Sequence, residues 1–246
     1  KARWVLQGFL DKQKDQQQTD SPTASRPGFR LACQFAANNN LDLYHIDLKT
    51  AFLQGEAYDE CRDIICQLPV EAGYPPYIAA RLKRPAYGLN DAPRRWWNII
   101  DKALRSYGMV PTRADRCCYV LHSDSLKRAA GSQPTNQGED TVSRKRAESK
   151  LLLKSYETNL NMDLLDKAID LLTDPIHGSP SKNHYVCGVV CLHVDDLFMA
   201  GDAEFLERVV QALRRDFQIG SEDKNDIMFV GQRIRWTKDS KGYPYI

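Results

Sequence analysis

No stretch of this sequence is long and apolar enough to cross a bilayer, and no secretory signal pattern opens it, so neither a membrane span nor export is expected. A charge bias is also missing. Lys and Arg number 34 against 32 Asp and Glu, a formal +2, so the total points to no polyanion or membrane surface. There is no CxxC pair, and the seven cysteines are an odd number, which argues against a disulfide framework and a zinc site. Cys187 and Cys191 lie within an apolar run, where cysteine behaves as a small hydrophobe, so reduced, intracellular thiols are expected. No methionine opens the chain; Lys1 stands inside already patterned sequence, and a piece of something longer is expected. What remains is an ordinary globular composition, 42% hydrophobic and 27% charged over 246 residues, enough for one large or two small domains.

The informative stretch is VCGVVCLHVDDLFMAG, residues 186–201. Two short apolar runs flank Asp195 and Asp196, which reads as a buried β-hairpin with two carboxylates at its turn. Adjacent carboxylates repel and call for water or a cation, and Mg²⁺ prefers such oxygens together with substrate phosphates. A polar turn in water is the plainer reading of an isolated Asp-Asp. Residues 41–48 alternate, with Leu43, His45 and Asp47 on one side and Tyr44, Ile46 and Leu48 on the other. Asp47 therefore also ends a strand. If the two strand systems pair, three carboxylates converge.

Around these lie further elements. Residues 1–9 alternate basic and apolar and suit an edge strand. Residues 10–25 are a polar loop, and 26–39 a helix stopped by an Asn run. Ile64, Ile65 and Leu68 mark a strand. Asp91 is placed as an N-cap, with Pro93 in the first turn of a helix that buries Trp96, Trp97, Ile100 and Leu104 and stops at Gly108. Residues 117–121 form a strand. Residues 123–183 read as a surface insertion, with a linker composition at 132–140 and helical patterns at 147–159 and 162–173. Asp202 caps an amphipathic helix over 203–217, and residues 227–246 make a hairpin with its turn in the Lys-Asp-Ser-Lys-Gly segment. Between Arg81 and Arg116 nine basic residues face three acidic ones, an excess suited either to a phosphate backbone or to a solvated helix face. The order predicts an α+β fold, an antiparallel sheet with helices packed on one face.

The elements KAR, DSPTAS, DLKTAFLQG, YGLNDAPRRW, HVDDLFMAG and VGQRI occur in one order along nearly the whole chain. With them the sequence resembles the reverse transcriptase domain of copia-type LTR retrotransposon Pol polyproteins. The resemblance implies a right-hand polymerase palm with fingers, the thumb largely absent. Residues 1–122 would be fingers and first part of the palm, and 184–246 the catalytic hairpin, helix and primer-grip-like hairpin. It implies RNA-directed DNA polymerase activity, a two-metal nucleotidyl transfer using two Mg²⁺ ions, with Mn²⁺ as the alternative. Asp47, Asp195 and Asp196 match the catalytic and metal-binding carboxylates. Lys1 and Arg3 match residues that hold the incoming triphosphate, Leu48, Thr50 and Ala51 the turn beside it, and Phe52 the aromatic under the sugar. Tyr87 and Gly88 match the nucleotide-facing loop. Arg94 and Arg95, with Val230, Gly231, Gln232 and Arg233, match primer and template contacts. The implied partners are an RNA or DNA template with primer, dNTP, and the protease, integrase and RNase H regions of Pol. The implied location is an intracellular, cytoplasmic particle with nuclear access for DNA integration.

The sequence departs from the family pattern at His193, where a tyrosine usually precedes Val-Asp-Asp, and at Asn90-Asp91, which replaces Lys-Gln. The 123–183 stretch is longer than usual. Two rival readings stay open: a decayed element relic acting as a nucleic-acid-binding or inert module, and another palm enzyme such as a nucleotidyl cyclase.

Overall fold

The structure is a computed structural model that describes residues 4–123, 185–238 and 244–245. Lys1, Arg3, the 132–140 linker composition and the helical patterns at 147–159 and 162–173 lie outside the described residues. Residues 1–122 and 186–246 cluster as one unit and 123–185 as another; the elements below belong to the first.

Helix α1 spans Arg26–Asn39, as its sequence predicts. Ser25 accepts a hydrogen bond from the Gly28 N–H, Pro27 fits the first turn, and Asn40 closes the helix in the left-handed region. Strand β1 is Asp42–Leu48; β2 (Ile65–Gln67) pairs with β3 (Ala79–Arg81). Helix α2 is Ala92–Ser106, followed by β4 (Val110–Pro111) and β5 (Cys118–His122). The apolar hairpin is β6 (Val186–His193) and β7 (Asp196–Gly201). Helix α3 is Ala203–Asp216, with Asp202 accepting from the Phe205 N–H as the cap. Then come β8 (Ile219–Lys224), β9 (Asp226–Phe229), β10 (Gln232–Arg235), β11 (Thr237–Lys238) and β12 (Pro244–Tyr245).

Six strands form one sheet in the order β4-β5-β6-β7-β1-β8, each pair antiparallel. This is the mixed fold with an antiparallel sheet that the sequence predicts, but helices cover both faces, not one. On one face Leu43, Cys191, Phe198 and Ala200 pack against Phe29, Ala32 and Ala36 of α1 and against Ile227, Phe229 and Ile234 of the β9–β10 hairpin. The other face belongs to α2 and α3. There Gly188 and Gly201 sit opposite one another, and the Phe205 ring lies so close over both that a Cβ at either would clash with it. The continuous apolar runs of β6 and β7 are the reason: strands buried on both faces need apolar residues at every position, and all six central residues of β6 are buried. Fully buried Phe198, Leu197 and Met199 contribute about 1.5–3 kcal/mol each by burial. Burial also pushes the Cys33 and Cys117 thiols up to about 11, as expected of packed, unreactive cysteines.

Four local expectations change. Residues 4–7 join no strand, and Gly8–Leu10 form a 3-10 turn; the Leu6 N–H donates to the Tyr87 carbonyl at 2.8 Å, and Leu6 packs against Ile64, Leu89 and Ala92. The tail hairpin turns at Val230–Gly231, both left-handed, within FVGQRI, while β11 and β12 pair across the Lys-Asp-Ser-Lys-Gly segment. The edge strand β8 was not predicted. Asp91 precedes α2 but its side chain makes no capping bond. Its carboxylate, 1% exposed, accepts from Tyr58 Oη (3.3 Å) and Arg95 Nε (3.1 Å) and pairs with Arg62 Nε (3.4 Å). A buried carboxylate needs charged donors more than a helix end needs a cap.

Candidate active site

β1 lies between β7 and β8, and this insertion assembles the site. Asp47 and Asp196 are direct cross-strand partners, so their side chains leave the same face of the sheet. The β6–β7 connection is only Val194 and Asp195, because His193 already pairs with Asp196. The Asp195 carbonyl accepts from the Leu48 N–H at 2.8 Å, which stitches the turn to the end of β1. Asp47, Asp195 and Asp196, from two distant sequence regions, thus stand at adjoining backbone positions.

The turn is strained. Val194 has φ 57°, where a β-branched side chain is disfavoured. Its carbonyl accepts the indole N–H of Trp96 at 2.6 Å. From sequence Trp96 reads as core alone; it is core, 1% exposed, and it also holds the turn. The signal was available in kind, since a buried indole N–H needs an acceptor.

The sequence alternation sets His45 on the face of Asp47 and assigns it no role. It is buried, with Nε2 3.2 Å from Asp196 Oδ1 and Nδ1 3.5 Å from Asp223 Oδ2. Burial pulls its pKa down, and the Asp196 and Asp223 carboxylates more than offset this, so the net shift is upward. The Phe229 ring stands edge-on to both His45 and His193, with centroids 6.4 Å away in each case. The β9–β10 hairpin is thereby anchored beside the carboxylates.

Asp47, Asp195 and Asp196 are the hard-oxygen donor set that Mg²⁺ takes. Among the described residues, however, no three His, Cys, Asp or Glu side chains are arranged to hold a metal ion. Asp47 shows why: its Oδ2 leans toward Gly220 on β8, the side away from β7. Convergence of the three on a cation requires that side chain to turn toward β7.

The other sequence-predicted residues divide. Thr50 is left-handed (φ 53°) and starts a 3-10 turn, Ala51–Gln54, in which Ala51 is buried. Phe52 in that turn packs on Tyr87 with ring centroids 5.0 Å apart, so two of the nucleotide candidates meet. Gly88 follows with φ 95°. Leu48 is buried and its N–H is engaged in the strand contact to Asp195. Arg94 and Arg95 are occupied within the protein. Arg95 bonds Asp91 and covers the Tyr58 ring at 4.6 Å; Arg94 donates to the Asp20 carbonyl and lies over Trp97 at 4.7 Å. Arg81, Arg84, Arg105 and Arg116 likewise have partners in Asp63, the Gly55 carbonyl, Asp101 and Trp97. Much of the basic excess is therefore internal pairing. Val230, Gly231, Gln232 and Arg233 sit at the β9–β10 turn and are exposed, with Arg233 bonded to Asp226 at 2.6 and 2.8 Å.

An antiparallel sheet that sets two aspartates opposite each other beside a two-residue hairpin turn defines an α+β protein. Comparison with known proteins makes this specific. The profile of the family described as reverse transcriptase (RNA-dependent DNA polymerase) matches residues 1–128, and the chain belongs to that family. The matched residues include Asp47 and end before Asp195. The chain is 32% identical over 122 residues to the retrovirus-related Pol polyprotein from transposon TNT 1-94 of Nicotiana tabacum, covering 48% of this chain and 9% of that protein. It is 32% identical over 124 residues to that from transposon RE2 of Arabidopsis thaliana (49% and 8%) and 29% over 125 residues to that from RE1 (49% and 8%). The match spans less than a tenth of each relative's length. No solved structure matches the chain. The copia-type resemblance read from the motifs is borne out.

Proposed function

We propose that this chain carries the fingers and palm of an RNA-directed DNA polymerase that adds dNTP to a primer 3′-hydroxyl. The observation that carries the reading is the Asp47–Asp196 cross-strand pair with Asp195 on the adjoining two-residue turn, in a chain of this family. Such chemistry needs little covalent participation by the protein; it needs positioning and charge neutralisation. When bound by Asp47, Asp195 and Asp196, Mg²⁺ supplies activation of the hydroxyl and neutralisation of the leaving pyrophosphate. The Trp96–Val194 bond and the Leu48–Asp195 bond hold the turn so that Asp195 and Asp196 diverge from a fixed backbone. The Phe52–Tyr87 pair forms an aromatic floor a short turn beyond Asp47, suited to the sugar of the incoming nucleotide. The exposed Val230–Gly231 turn is suited to the primer end, and Lys1 and Arg3 to the triphosphate. Template strand, other Pol regions and cytoplasmic particles with nuclear access complete the reading by analogy with the Pol relatives.

The test is extension of oligo(dT) on poly(rA) with dTTP, with and without Mg²⁺ or Mn²⁺. Metal-dependent addition supports the polymerase. Binding of the primer-template without addition supports the relic instead, and primer-independent turnover of a nucleotide supports another palm enzyme.

A further inference from the structure

Nothing in the motif pattern gives a task to His45 or Asp223, yet the fold puts them in line with a site carboxylate. β1 places His45 two residues before Asp47, on the same face, and β8 places Asp223 directly across from it. His45 has a side chain only 7% exposed, whereas that of Asp196 is 32% and that of Asp223 51% exposed. The imidazole is confined by the sheet and by Phe229, so Nε2 is a donor fixed in space, 3.2 Å from Asp196 Oδ1. Its other nitrogen, Nδ1, has no hydrogen-bond partner among the described residues; the nearest acceptor charge is the Asp223 carboxylate at 3.5 Å. The Asp223 carboxylate attracts Nδ1 when that nitrogen also carries a proton, whereas the Nε2–H bond to Asp196 needs only the one proton of the neutral ring.

We infer that His45, backed by Asp223, is a positioning residue that locks the Asp196 carboxylate by one oxygen and leaves the other turned to the cation. The inference rests on the reading of Asp47, Asp195 and Asp196 as the cation site. A half-exposed aspartate otherwise samples several rotamers, and only some present an oxygen to the corner shared with Asp195. A carboxylate that binds metal is commonly held by a second hydrogen bond from behind, and loss of such a partner lowers metal affinity or activity about 10- to 100-fold. Asp223 stands outside the three-carboxylate set and acts through the ring.

The experiment is Mn²⁺ binding to the protein alone, followed by the electron paramagnetic resonance signal of the free ion, with a melting curve for each variant. Wild type, Asp195→Asn, His45→Leu, His45→Gln and Asp223→Asn are compared. His45→Leu keeps a similar volume without a donor, and should weaken binding at least about 10-fold. His45→Gln keeps a donor toward Asp196 and should recover most of that loss, which a purely structural role would not produce. If His45→Leu does not fold, exposed Asp223→Asn carries the test and should weaken binding in the same direction. Unchanged affinity in folded His45→Leu, or in Asp223→Asn where His45→Leu is unfolded, overturns the inference while Asp195→Asn still abolishes binding. Absence of Mn²⁺ binding by wild type overturns the cation site itself, and the inference with it.

Discussion

The carboxylate of Asp47 occupies the space that a side chain on Gly220 would fill. A Cβ built on Gly220 would lie well inside van der Waals contact with Asp47 Oδ2, and 3.2 Å from the Asp47 carbonyl oxygen. Glycine at this edge-strand position is what lets Asp47 rest on the β8 side, away from Asp196. Gly220→Ala should expel the carboxylate toward β7 and tighten Mn²⁺ binding, with only a small change in melting temperature because Gly220 is exposed. Weaker binding in this variant would mean that the β8-side rotamer is the working one.

Phe52 and Tyr87 invite a test of sugar selection. Phe52 is half-buried, packs on Tyr87 and also touches the small cluster of Ile64, Leu89 and Ala92. Phe52→Val should retain dNTP addition and markedly improve rNTP addition, since an unpaired buried hydroxyl costs about 1–3 kcal/mol and sterics add to it. Its packing share should lower stability by about 1–3 kcal/mol. Comparing kcat/KM for dTTP and UTP beside a melting curve separates the two roles; lost stability with unchanged sugar preference leaves Phe52 as packing alone.

How much of this was legible in the sequence depended on whether periodicity or partners set the structure. The bounds of α1, α2 and α3 followed from the Asn run, Gly108 and Asp202 at their ends and from their apolar stripes, and β1 followed from its alternation; the Ser25 cap emerged only in the structure. β8 did not follow, because IGSEDK has no apolar alternation. It is held by backbone pairing to β1 and by Glu222, which accepts from Tyr44 Oη at 2.6 Å and pairs with Arg214 at 2.5 Å. The two-sided burial of β6 and β7 was written in their continuous apolar runs, yet the covering of both faces shows only once α1 is docked. Asp223 carries no local signal at all; it matters because β8 sets it opposite His45.

The insertion predicts its own dispensability. His122 and Val186, the residues that bound it, are cross-strand neighbours at the β5–β6 edge. Chain leaving one reenters beside it, and closure entropy grows slowly with loop length. Replacing residues 124–184 with a short Gly/Ser linker should leave thermal unfolding cooperative and its midpoint within a few degrees. A broad or strongly lowered transition would place those residues in the folding core.

Acid sensitivity should be traceable to Asp115. Burial raises its pKa, but hydrogen bonds from the Ser25 and Cys117 N–H groups, at 2.7 and 2.9 Å, outweigh this, and the net shift is below 3.8. A depressed pKa contributes stability that is complete above the unfolded value and disappears as pH falls through the folded one. Asp115→Ala should therefore cost at least about 1.5 kcal/mol at pH 7, since bonds to a charged group are lost. The gap to wild type should close as pH drops below 3.8. Chemical denaturation at several pH values checks this; a gap independent of pH would assign the effect to packing.

Asp195→Asn addresses the polymerase most directly. It keeps the shape of the Val194–Asp195 turn and removes one charge from the carboxylate corner. Single-nucleotide addition of dTTP to oligo(dT) on poly(rA), measured with Mg²⁺ beside wild type, should fall by at least about 10³, equivalent to roughly 4 kcal/mol of transition-state stabilisation. The melting temperature should hold or rise, because a repulsive carboxylate is gone. Addition by Asp195→Asn at close to the wild-type rate would contradict the assignment of this hairpin as the catalytic centre.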